Sequence, residues 1–273
     1  MSRPTRSRSA HEPLAAKVPE IVGLFWVIKI LTTFMGEAVS DYLLTDIGIA
    51  VGAVIEVALI IVALSVQFRT RRYVAAAYWF LAAAIAVFGT GIADALHVLL
   101  HIPYGGTVTL WAAILAVIFW RWHHSEGTLS FHSITTRRRE RYYWGVVFAT
   151  FALGTALGDF AATVLHLGFL ASGISFGVII LIPAVARWRF GFNAIAAFWM
   201  SYVVTRPLGA SFADYFIKQL HVGAALTSLI PAIVVLILVA YVSITRKDVQ
   251  PPGESAVAST ARQSTLTPDS PQQ

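Results

Sequence analysis

The chain has 273 residues, 57% of them hydrophobic and 12% charged, with a formal net charge of +6. Soluble domains carry about 25% charged residues, so this composition excludes an ordinary soluble enzyme and points to an integral membrane protein. There is no cysteine, which excludes disulfides and thiol chemistry.

In chain order, the basic stretch over residues 1–18 lacks the small-residue cleavage site of a signal peptide and is expected to be a retained cytoplasmic tail. Eight apolar runs follow, at about 20–43, 47–67, 73–100, 106–121, 142–167, 169–187, 192–219 and 222–245. Crossing a bilayer takes roughly 20 apolar residues in a helix. The runs are continuous and do not alternate, which excludes a β-barrel. Residues 248–273 are rich in Pro, Ser, Thr and Gln and read as a disordered tail.

Basic residues mark one side of the spans. They fill the N-terminal tail and recur at Arg69/Arg71/Arg72, Arg121, Arg137/Arg138/Arg139/Arg141, Arg187/Arg189 and Arg246/Lys247, while the alternate loops hold only Lys218. The positive-inside rule then puts both termini in the cytoplasm. The longest connection, His123 to Arg141, is cytoplasmic and separates two halves. The TTRRRER run within it reads as an orientation determinant and lipid-headgroup contact, not a nucleic-acid site.

A spacing of Trp, nine residues, Gly, four residues and Asp occurs four times. The sets are Trp26/Gly36/Asp41, Trp79/Gly89/Asp94, Trp144/Gly154/Asp159 and Trp199/Gly209/Asp214. The fold expected is therefore all-α and polytopic, with eight transmembrane helices as four tandem helical hairpins at about 20–69, 73–122, 140–189 and 192–246. An even number of crossings per repeat keeps every repeat in the same orientation. The four Asp then share one depth, about 22 Å along the helix from the Trp level. The Gly set reads as close helix packing and the Trp set as interfacial anchors.

Charged groups in a membrane segment are expensive, so the carboxylates are the first candidates for function. They are Asp41, Asp94, Asp159, Asp214, Glu37 one turn before Asp41, and Glu56 in the second span. Lys29 and Arg206 are the expected counter-charges, too few for six carboxylates, and the rest need protons, cations or water. The competing reading is that each Asp caps a helix end near the outer interface. His101, His166 and His221 each follow an Asp by seven residues, and repeat 1 has Gly48 there. Shortening that loop would instead put Asp46 in the histidine's place. The histidines would gather a transition metal such as Zn²⁺ or Mn²⁺, or else they are interfacial residues at a wet loop. No nucleophile elbow, phosphate loop or dinucleotide fingerprint is present, so neither an enzyme nor a cofactor is expected.

The segments FWVIKILTTFMGEAVSDYL, EGTLSFHSITTRRRERYYW, FALGTALGDFAA and AFWMSYVVTRPLGASFAD resemble a bacterial family of small inner-membrane proteins. That family is built from four tandem two-helix repeats, each marked by a tryptophan, and the resemblance covers residues 17–247. It implies the eight-span architecture and carries no functional residue with it. The expected function is secondary transport of a cation or proton, with a divalent metal and proton exchange as the specific form. The alternative is a partner or stress-response subunit acting through the His123–Arg141 loop.

Overall fold

The computed structural model describes residues 17–249. Most of the two expected tails, residues 1–16 and 250–273, lies outside the described residues. Lys17 and Val18 are buried against the domain, so the folded part begins before residue 19. The described residues are almost wholly helical. The helices are α1 (Gly23–Asp41), α2 (Ile49–Arg69), α3 (Ala75–Val98), α4 (Tyr104–Glu126) and α5 (Arg137–Asp159), then α6 (Gly168–Ile179), α7 (Leu181–Phe190), α8 (Ala194–Asp214) and α9 (Ala224–Thr245). α7 continues α6 through Ile180, which keeps helical angles.

Among the described residues, six helical stretches are long and apolar enough to cross a membrane, the first running over Gly23–Arg69. That stretch is two helices, because the chain turns back at Gly48, whose φ of 110° leaves the helical region. The Ser40 hydroxyl donates to Glu56 Oε1 at 2.7 Å. Sixteen residues of straight helix would hold these groups about 24 Å apart. α8 is not among the six, since it carries Arg206, Thr205, Ser201 and Ser211 in its interior.

The four Trp-bearing helices form the centre. α1 packs on α3 and α8, and α5 packs on the same two, so α1, α3, α5 and α8 close a ring. The other helices lie outside it. α2 packs on α3, α4 on α5, α6 and α7 on α8, and α9 on α1. Each outer helix thus covers the inner helix of the following repeat, and the last closes on the first. Their outward faces are apolar and exposed, as at Val54, Val178, Leu236 and Ile244, a surface suited to lipid.

The repeated glycines make this ring possible. A Cβ on Gly36 would strike Ala86, on Gly89 it would strike Phe151, on Gly154 Arg206, and on Gly209 Thr33. These four targets occupy one repeat position, seven residues after each Trp, and each belongs to the next helix around the ring. In lipid, close packing replaces the hydrophobic effect as the force between helices, and small residues permit it. Gly154→Val is expected to lower stability by about 1–3 kcal/mol, read as thermal unfolding in detergent. Gly105→Ala, whose nearest neighbour would be Phe160 at 3.7 Å, is the control expected to change little.

The tryptophan end corrects the anchor reading. Trp79, Trp144 and Trp199 are buried and Trp26 is half-buried. Each follows another aromatic residue, Phe25, Tyr78, Tyr143 or Phe198, and these rings pack at tilted angles into one plug. The long connection also contributes, because Phe131 enters the plug 4.9 Å from Phe198 and 6.0 Å from Phe25. Buried Lys17 holds Glu140 at 2.7 Å beside this end, and Gln67 donates to the same carboxylate at 3.0 Å.

Candidate functional site

The inner helices stack charged and polar groups along the axis of the ring, one turn per layer. Lys29 lies just beyond the aromatic plug. Its Nζ is 3.7 Å from the Phe151 ring centre and 4.2 Å from that of Tyr202. It is buried and makes no hydrogen bond to the protein. It therefore meets ring faces, and the role of counter-charge expected for it has no carboxylate contact behind it.

Arg206 comes next and is fully buried. Its Nη2 lies 2.6 Å from Glu37 Oε2, and its Nη1 donates to the Thr33 carbonyl at 2.7 Å. Nη2 also reaches Thr155 Oγ1 at 2.9 Å and the Thr90 hydroxyl. Both hydroxyls donate on to Glu37, at 3.0 Å from Thr90 and 3.2 Å from Thr155. Glu37, Thr90 and Thr155 hold the same place in repeats 1, 2 and 3, and Ala210 holds it in repeat 4. One ion pair with its hydrogen bonds thus ties all four inner helices together. α8 continues through Pro207 without a break.

The four aspartates follow one turn beyond. Asp41, Asp159 and Asp214 are buried and Asp94 is half-buried. One oxygen each of Glu37, Asp41 and Asp94 lie within 4.8 Å of one another. Lys218 Nζ is 2.6 Å from Asp214 Oδ1 and 3.6 Å from Asp41 Oδ2. A cavity of about 610 Å³ at this end is lined by Asp41, Glu56, Asp94, Asp159, Tyr104 and Lys218. Asp41, Asp159 and Asp214 each immediately precede a π-helical turn, over Tyr42–Gly48, Phe160–Val164 and Tyr215–Gln219. Such turns recur at functional sites, where they re-aim side chains.

This cluster has too little positive charge to stand alone. Six carboxylates face two cations, Arg206 and Lys218. Three carboxylate oxygens within 4.8 Å of one another can share a proton or hold a cation between them. The donors are all oxygen, which suits hard cations such as Mg²⁺, Ca²⁺ or Mn²⁺ better than zinc.

The histidines stand elsewhere. His101, His166 and His221 are exposed, with φ of 54°, 56° and 55°. Gly48, at the same offset in repeat 1, also has positive φ. The four positions are equivalent turn residues in the left-handed region, where His is tolerated better than most residues. No shortened loop is needed, and Asp46 is not the histidines' counterpart. None of the three histidines joins the Glu37–Asp41–Asp94 group, the one such group of potential ligands among the described residues. Changing all three to Gly is expected to leave cation affinity within about twofold, since no ligand is removed; isothermal titration checks this, and a large loss would restore the metal-gathering role.

Lys218 is the site residue that sequence reasoning passed over. The signal was present in its spacing, four residues after Asp214 on one helix side, and in its isolation among loops otherwise free of lysine and arginine. Glu56 is legible only as a buried acid, because its partner Ser40 comes from across the Gly48 turn.

Four segments, residues 24–73, 77–128, 142–192 and 197–248, match the model of one protein family, described as a repeat of unknown function (DUF347). No curated protein and no solved structure matches the chain.

Proposed function

We propose that this chain, which belongs to the family of the repeat of unknown function matched by its four segments, is a secondary transporter of a hard cation, exchanged for protons. The observation that carries the reading is the meeting of Glu37 with Asp41 and Asp94, the latter two lining a cavity about 610 Å³ in volume. The cation sits among these carboxylates, and protons replace it when it leaves. Lys218 neutralises Asp214 and steadies Asp41. Arg206 holds Glu37 in place and stands between the cluster and the aromatic plug.

The membrane arrangement follows from the same reading. Each repeat crosses twice, giving eight spans in four parallel hairpins, with both termini and the basic loops in the cytoplasm of a bacterial inner membrane. The carboxylate cavity then opens outward, and the plug of Phe25, Tyr78, Tyr143, Phe198 and Phe131 closes the inner side. Parallel repeats around an axis along the membrane normal are a known transporter plan, with the site at the repeat interface. Repeats 1 and 4 supply the Glu37–Arg206 and Asp41–Lys218 contacts, so the site is asymmetric.

The test is flux in proteoliposomes. Vesicles loaded with a pH dye and a divalent-cation dye are given Mn²⁺, Mg²⁺ or Ca²⁺ on one side. Cation entry accompanied by proton exit is the expected result. Absence of both movements for every cation removes the transporter reading and leaves the non-transporting subunit, whose readout would be a partner held by the His123–Arg141 loop.

A further inference from the structure

A second binding site lies at the opposite, basic end of the bundle, in a groove of about 510 Å³ between α4 and α5. Its rim carries Arg121, Arg138 and Arg141. All three are exposed. Among the described residues, the only carboxylate that an arginine of this rim meets is Glu126, 3.2 Å from Arg138, and it is shared with Arg139 at 2.8 Å. Arg141 Nε spends its bond on the Arg137 carbonyl at 3.4 Å, a long contact that leaves the rest of the guanidinium free. Below the rim the walls are Val117, Ile118, Gly145 and the ring of Tyr142.

Gly145 makes this groove unlike its counterparts. It directly follows Trp144, and the residues after the other three tryptophans are Val27, Phe80 and Met200. Those three are large, apolar and exposed at 49%, 36% and 49%. A Cβ on Gly145 would face only Ile118, at 3.8 Å. Repeat 3 therefore leaves an open channel where the other repeats place a side chain. The arginines are equally particular to it. The positions matching Arg141 are Gly23, Ala76 and Ala196, and those matching Arg138 are Glu20, Tyr73 and Asn193. One repeat thus combines a missing side chain with added positive charge, at one place.

We propose that this groove binds one anionic phospholipid, its phosphate on Arg121 and Arg141 and an acyl chain along Gly145. An apolar channel under a guanidinium rim matches a lipid in both its parts, and it lies where exposed Trp120 marks the level of the headgroups. Guanidinium groups suit phosphate because they present paired donors. A free phosphate has nothing for the channel, and a zwitterionic lipid brings no net charge to the rim. The site depends on the chain being embedded in a membrane and not on its transporting anything.

The experiment is native mass spectrometry of the full chain in detergent, titrated with phosphatidylglycerol or with phosphatidylethanolamine of the same acyl chains. Phosphatidylglycerol is expected to bind at least about tenfold tighter. Arg121→Gln with Arg141→Gln should weaken it roughly 30-fold, each basic group near the surface contributing about one unit of ~1 kcal/mol. Arg71→Gln with Arg72→Gln removes the same charge from elsewhere at that end and should leave binding unchanged. Gly145→Phe fills the channel with the arginines intact and should also release the lipid. Equal retention of the two lipids overturns the proposal, as does unchanged binding in the Arg121/Arg141 variant or in Gly145→Phe. Displacement of the lipid by millimolar inorganic phosphate would likewise overturn it, since that marks a headgroup site without a channel.

Discussion

Asp94→Asn is expected to reduce cation flux in proteoliposomes by at least about tenfold, a conservative figure because outer-shell changes alone cost 10–100-fold in metal sites. Asp94 contributes one of the three clustered oxygens and is the one aspartate left half-exposed to the cavity. Asparagine keeps the shape and removes the charge. Asp41→Asn should be nearly as severe, since it removes a second donor and half of the Lys218 contact. Asp214→Asn should be milder. Asp214 neutralises Lys218 at 2.6 Å and does not line the cavity. These three repeat-equivalent positions are thus expected to rank, not to behave alike. Asp46→Asn, in the exposed turn, should be silent. Asp94→Asn, Asp41→Asn and Asp214→Asn all matching the unchanged chain would remove the carboxylate site.

Arg206→Met is expected to lower stability by about 3–5 kcal/mol, the usual consequence of stranding one partner of a buried ion pair. The stranded group would be Glu37, which is buried and would keep only the Thr90 and Thr155 hydroxyls. Glu37→Gln in the same chain should recover most of the loss, because two neutral groups of similar volume pack without an uncompensated charge. The double-mutant cycle, measured by denaturant unfolding in detergent, isolates the pair. Strict additivity would mean that Arg206 and Glu37 act separately. The measurement is independent of flux, so it separates the scaffold from the transport reading. Gln at position 37 also removes a donor from the cluster, so the stable double variant should still transport poorly.

The hairpins, the repeats and the acidic positions were all readable in the residues. Helix length and apolar run length are local properties, and the Trp–Gly–Asp spacing repeats without gaps, so the aspartates fall at one repeat position. Arg206, Glu37 and the glycines could be singled out because charge and small size are conspicuous among apolar neighbours. The partner of each residue was less accessible. Lys29 reads as a counter-charge by composition, yet it lies two turns from Glu37 on α1 and faces rings from α5 and α8. The histidines read as ligands by spacing, yet that spacing is set by the left-handed turn that ends each inner segment.

Sequence by itself determined that this protein is a fourfold helical repeat with carboxylates at one level, because periodicity, length and charge act within a single segment. Tertiary structure alone decided which side of each inner helix faces the axis. In lipid the surroundings are as apolar as the core, so hydrophobic pattern does not mark the inward face. Ring closure supplies that information. It sets each glycine against the next helix, turns the tryptophans into a plug at one end, and brings Glu37 against Asp41 and Asp94, which line the cavity.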